Sequence, residues 1–140
     1  MRRLLPIVLL SASLASPSAF AWGFGGNSPP TRVPVPSRVL HAAATDSGGT
    51  TVELTSVSFD GEILLFGTLG KAQVAIELER VATIDFSAGP NAEHRLATAH
   101  LVDGGEAKVI VEADLPLYGR AVFGNYRIYA EDLRQIVMRP

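Results

Sequence analysis

Leu65-Phe66-Gly67-Thr68-Leu69-Gly70-Lys71-Ala72-Gln73-Val74-Ala75-Ile76-Glu77-Leu78-Glu79-Arg80-Val81-Ala82-Thr83-Ile84 occurs a second time in this chain, in looser form, as Leu117 to Ile136. At a constant offset of 52, Leu65 falls on Leu117, Gly67 on Gly119, Ile76 on Ile128, Glu79 on Glu131 and Ile84 on Ile136 as identities. Phe66 with Tyr118 and Val81 with Leu133 are close matches, and no gap is needed across twenty positions. Each copy reads as a strand, a glycine turn, a strand, one acidic turn (Glu79-Arg80, Glu131-Asp132) and a further strand. Val81 and Leu133, at the turn, are expected to fold under the strands as a small cap on the core. Self-similarity at a fixed offset marks repeated architecture, so the domain is expected to consist of two related halves.

Outward from the repeat, the same period of two continues. Val52 and Leu54 alternate with polar residues, as do Val74, Ile76 and Leu78, Ile84 and Phe86, and Val109 and Val111. That period suits strands with one buried face, and no window of helical length carries a 3.6-residue stripe. Asp60-Gly61 and Asp103-Gly104-Gly105 lie between apolar runs. They supply the positive φ angles that tight reversals require, so each is expected to close a hairpin. Ten strands are expected, near 38–45, 50–59, 62–67, 72–78, 82–87, 95–102, 106–113, 116–123, 126–130 and 134–138. The expected fold is all-β: a small antiparallel sandwich or closed barrel of eight to ten strands in one domain over 37–140.

The closing pattern of each copy resembles the ends of small β-barrels, including PRC-type and Sm-like barrels. The likeness covers about ten residues per copy and carries no functional residue across.

The N-terminus speaks about location. Arg2 and Arg3 precede an apolar stretch from Leu4 to Leu14, and Ala19-Phe20-Ala21 places small residues at both recognition positions before Trp22. This is the pattern of a secretory signal peptide over 1–21. The apolar stretch is shorter than the ~20 residues that span a bilayer. The expected location is therefore periplasmic or extracellular, without membrane insertion. Residues 22–36 are rich in Gly, Asn, Ser and Pro and are expected to form a flexible linker or arm. Trp22 and Phe24, its only large apolar side chains, are the candidate binding residues.

Twelve basic residues oppose fourteen acidic ones; without Arg2 and Arg3 there are ten against fourteen, a formal charge of −4. Basic residues such as Arg80, Arg95, Lys108, Arg120, Arg127 and Arg134 stand singly, which argues against a nucleic-acid partner. The chain has no cysteine, which removes thiol catalysis, zinc-thiolate sites, c-type haem attachment and cysteine-held iron-sulfur clusters. It also removes the attachment point of a bacterial lipoprotein. No cofactor and no metal site is expected.

Several fragments resemble chemistry. Asp46-Ser47-Gly48-Gly49 resembles the nucleophile segment of chymotrypsin-like serine proteases, with His41 just upstream. The residue before Asp46 is Thr45 rather than glycine, and nothing identifies a converging base, acid and oxyanion donors. A polar turn accounts for the segment through side-chain to backbone bonding. Gly67 to Ala72 departs from a phosphate loop, because Leu65 stands at the first glycine position and Ala72 where Ser or Thr is needed. It is expected to be a hairpin turn. His94 and His100 share a strand face, yet six residues at ~3.3 Å each place them about 20 Å apart, too far for one metal ion. A metal site would need Asp85, Glu93 or Asp114 brought in by the fold. The expected function is a non-enzymatic binding or assembly module whose partner is another exported protein or a cell-envelope component. A small secreted hydrolase and a small outer-membrane β-barrel are the alternatives; sparse aromatic residues disfavour the latter.

Overall fold

The computed structural model describes residues 28–140. Ten strands follow one another: β1 (His41–Asp46), β2 (Thr51–Phe59), β3 (Leu64–Leu69), β4 (Ala72–Glu77), β5 (Val81–Ala88), β6 (His94–Leu101), β7 (Glu106–Glu112), β8 (Pro116–Ala121), β9 (Gly124–Tyr129) and β10 (Leu133–Arg139). Single 3-10 turns, Leu78–Arg80 and Ala130–Asp132, sit before β5 and β10. These are the two acidic turns of the repeat. All ten expected strands are present, and every pairing is antiparallel.

The strands form one sheet in the order β4-β3-β7-β6-β5-β10-β1-β2-β8-β9, curled into a half-barrel. That order is symmetric about its middle. Exchanging β1–β5 with β6–β10 reverses the order and leaves it unchanged. The pseudo-twofold axis passes between Ile84 and Ile136, which face one another across the β5–β10 pairing. Adding 52 to the bounds of β3, β4 and the first 3-10 turn gives the bounds of β8, β9 and the second.

The relation extends beyond what sequence matching detects. Ala42 opposes Met138 and Ala44 opposes Ile136, while Ala97 opposes Phe86 and Ala99 opposes Ile84. Ala42 and Ala44 therefore correspond to Ala97 and Ala99 at an offset of 55 rather than 52. The three-residue difference falls in the β2–β3 connection, where β2 also carries a bulge between Thr55 and Ser58, with Ser56 at a φ of 56°. All four alanines are fully buried, and their small side chains make room for Ile84, Ile136, Phe86 and Met138.

The core lies on the inner face. Leu65 and Leu117, Val81 and Leu133, Ile84 and Ile136, and Leu54 and Val109 form matched buried pairs. Ile76 and Ile128 are only half-buried, because β4 and β9 are the outer strands and only one side of each has a neighbour. Gly67 and Gly119 are imposed by packing: a Cβ at Gly67 would stand 2.8 Å from the Ile110 carbonyl and 3.1 Å from Val109. A Cβ at Gly119 would lie 3.0 Å from Leu54. Each glycine of one half thus receives the equivalent residue of the other.

Two local expectations differ from the structure. Asp60 and Gly61 do take positive φ, 53° and 95°, but the reversal is held by one bridge, Phe59 to Glu62. β3 then leaves β2 and pairs with β4 and β7. A turn dictates a local change of direction, not the strand that the next segment joins. The apolar pair Val122-Phe123, expected inside a strand, forms the β8–β9 turn in the place of Gly70-Lys71.

Candidate functional site

Outward-facing side chains near the pseudo-twofold axis form a polar row across β6, β5 and β10. His100 Nε2 lies 3.1 Å from Asp85 Oδ2, and Gln135 Nε2 donates to Asp85 Oδ1 at 2.9 Å. Glu106 approaches the other ring nitrogen of His100 at 3.6 Å. The register explains the meeting, since Asp85 sits opposite both Gln135 and Thr98, two residues before His100. The row sets the His100 imidazole between two carboxylates. Its members are near half-exposed, and the hydroxyl pair Thr45–Thr51, 2.8 Å apart, bonds within itself on β1 and β2.

The remaining chemical candidates are kept apart. His94 bonds Asn91 at 2.8 Å and faces Glu112 at 3.1 Å, at the opposite end of β6 from His100. His94, Glu93 and Asp114 line one open depression, and His100 does not. Among the described residues no group of three or more His, Asp or Glu side chains is placed to hold a metal ion. His41 begins β1 and Ser47 follows its last residue, so the strand itself separates them. Asp46 Oδ1 accepts from the amides of Gly48 at 2.8 Å and Thr50 at 3.0 Å, which is the polar-turn geometry. Gly67 to Ala72 spans the end of β3, the two-residue β3–β4 turn and the first residue of β4, with Gly70 at a φ of 62°.

Trp22 and Phe24 lie outside the described residues, as does the expected signal peptide. The described part of the expected arm, residues 28–36, has no regular secondary structure and is seated on the domain. Val33 is 7% exposed, Asn125 Nδ2 donates to the Pro30 carbonyl at 3.3 Å, and Arg127 donates to the Ser28 carbonyl at 2.7 Å. Ser28 and Pro30 are thus held by side chains of β9, one of the two outer strands, while Pro34 lies beside Gly61. At the other, β4, the side chains of Gln73, Ala75 and Glu77 are exposed, whereas their counterparts Asn125, Arg127 and Tyr129 are half-covered. Beside β4 stand two exposed apolar residues of β3, Phe66 at 50% and Leu69 at 53%. Sequence reasoning did not single out this end of the sheet, since which strands lie outermost depends on long-range pairing.

Three ionisable groups are displaced from their ordinary behaviour. Arg139 donates to Glu53 at 2.8 Å, which holds the Glu53 carboxyl below and the Arg139 guanidinium above their usual ranges. Tyr126 is pushed upward by burial, with the Asp46 carboxylate adding to the effect.

The arrangement defines an all-β scaffold with internal twofold pseudosymmetry in which, among the described residues, the outer strand β4 is more exposed than β9. Residues 36–140 match the model of a family described as "Uncharacterised protein", and the chain belongs to that family. No curated protein and no solved structure matches the chain.

Proposed function

We propose that this chain is an exported, non-enzymatic binding or assembly module that works through the β3–β4 end of its sheet. The observation that carries the reading is the unequal treatment of the two outer strands. β9 presents Arg127, and its Arg127 and Asn125 side chains hold the carbonyls of Ser28 and Pro30. β4, with the sequence Ala-Gln-Val-Ala-Ile-Glu, has none of the proline, lysine or bulge that usually blunts an edge, and it adjoins Phe66 and Leu69. An edge in that state is suited to accept an added strand, with main-chain bonds supplying affinity and flanking apolar side chains specificity. The partner is another exported protein or a cell-envelope component. Export is supported by the signal-like sequence before Trp22.

The His100–Asp85 pair favours one second reading, a small hydrolase with histidine as base. Cells lacking the chain, supplied with variants, separate the two. Ala75→Pro should abolish rescue, while Ser47→Ala and His100→Ala should leave it intact. Loss of rescue from His100→Ala in a folded, exported protein reverses the ranking.

A further inference from the structure

We propose that the open edge pairs with itself, joining two copies of this chain through antiparallel β4–β4′ contact centred on Ala75. The inference rests on the edge reading above and names the occupant.

Its first support is the phase of hydrogen bonding. Leu78 N donates to the Ile63 carbonyl at 3.0 Å. The β3–β4 register continues this pair through Leu65↔Ile76, Gly67↔Val74 and Leu69↔Ala72. Bonded and non-bonded pairs alternate along an antiparallel ladder, so Ala72, Val74 and Ile76 direct their amides and carbonyls at β3. Gln73, Ala75 and Glu77 direct theirs at the open edge. A second β4 with Ala75 opposite Ala75 places Gln73 opposite Glu77 and satisfies these outward groups in both copies.

The side chains agree with that register. On the inner face Val74 meets Ile76 of the other copy, extending the half-buried apolar row that packs on the core. On the outer face the amide of Gln73 meets the carboxylate of Glu77, a matched donor and acceptor. Phe66 stands opposite Ala75 in the β3–β4 pairing, so the outer face would carry Phe66, Ala75, Ala75 and Phe66 in one apolar row across the junction. Pairings one residue out of register set inner-face side chains against outer-face ones and are disfavoured.

The pseudosymmetric edge provides the contrast. The counterpart of Ala75 is Arg127, so self-pairing of β9 would oppose two guanidinium groups, and side chains of that strand already hold the carbonyls of Ser28 and Pro30. The molecule therefore has one edge suited to self-association and one opposed to it, which limits growth to a closed pair rather than a filament.

The test uses the exported protein in sedimentation equilibrium, together with single-cysteine variants, since the natural chain has none. A bonded antiparallel pair places its Cα atoms about 5.5 Å apart, within disulfide reach. After mild oxidation Ala75→Cys should form a covalent dimer in high yield, and Gln73→Cys should form at least tenfold less. Gln73→Glu, which opposes carboxylates across the junction, should raise the dimer dissociation constant about tenfold at low salt. A parent protein that sediments as a monomer up to ~100 μM, or cross-linking no better at position 75 than at 73, overturns self-pairing. The edge reading itself is judged separately: if Ala75→Pro still abolishes rescue in cells when the protein is monomeric, the edge serves a different partner.

Discussion

At the scale of single residues, the two equivalent glycines are held by packing against the opposite half. Gly119→Ala forces a Cβ to within 3.0 Å of Leu54, and Gly67→Ala forces one to 2.8 Å from a backbone carbonyl. Overpacking of this kind costs about 1–3 kcal/mol. Urea unfolding should show the Gly67→Ala loss as the larger, because a backbone oxygen yields less easily than a leucine side chain. Leu54→Ala should relieve part of the Gly119→Ala penalty and none of that at Gly67. Tyr126 gives a pH-dependent prediction. Its folded-state pKa is raised by burial and by Asp46, so the proton is held more tightly in the folded chain than in the unfolded one. Stability should therefore fall as pH rises above the ordinary tyrosine value of about 10. Tyr126→Phe should flatten that alkaline decline, measured as the denaturation midpoint between about pH 9 and 11.

Among elements, the two corners that carry the 3-10 turns are held differently despite their shared bounds. Arg95 donates from Nε to the Ser87 carbonyl, and its terminal nitrogens reach the carbonyls of Ala130, Glu131 and Leu133. It thereby ties β6 to the turn before β10. The corresponding corner is secured by the exposed ion pair of Arg38 with Glu79. Arg95→Ala should cost on the order of 1–3 kcal/mol in unfolding experiments, because carbonyls lose a charged donor; Arg38→Ala should cost under about 1 kcal/mol. Ile84→Ala and Ile136→Ala, at equivalent places beside the axis, should each cost about 2–5 kcal/mol through lost burial and a residual cavity. Strand content was readable from Val74-Ala75-Ile76 and its like, since alternation is a local property of a half-buried strand. The Asp-Gly turns were readable for the same reason. The departure of β3 from β2, the half-burial of Ile76 and Ile128, and the meeting of His100 with Asp85 all depend on partners distant in the chain. So does the exposed edge at Ala75, which no local pattern distinguishes from an interior strand.

For the whole molecule, the halves are interlocked rather than docked. Of nine strand ladders, five join one half to the other: β1–β10, β10–β5, β2–β8, β3–β7 and β5–β6. Fragments 36–91 and 92–140, prepared separately, should each lack cooperative unfolding and should regain it on mixing. A cooperative transition in either fragment alone would contradict interlocking. Interlocking also divides the sheet unevenly along the chain. The stretch β4-β3-β7-β6-β5 is drawn wholly from consecutive residues, Leu64–Glu112, whereas β10-β1-β2-β8-β9 combines two stretches that flank it. The first closes through local hairpins and the Thr68–Ile110 pairing, all within one continuous stretch; the second must join two stretches that have the whole of the first between them. The pseudosymmetric partners Val109 and Leu54 should then differ in time though they match in space. Conservative truncation at Val109 should slow refolding, and truncation at Leu54 should chiefly speed unfolding.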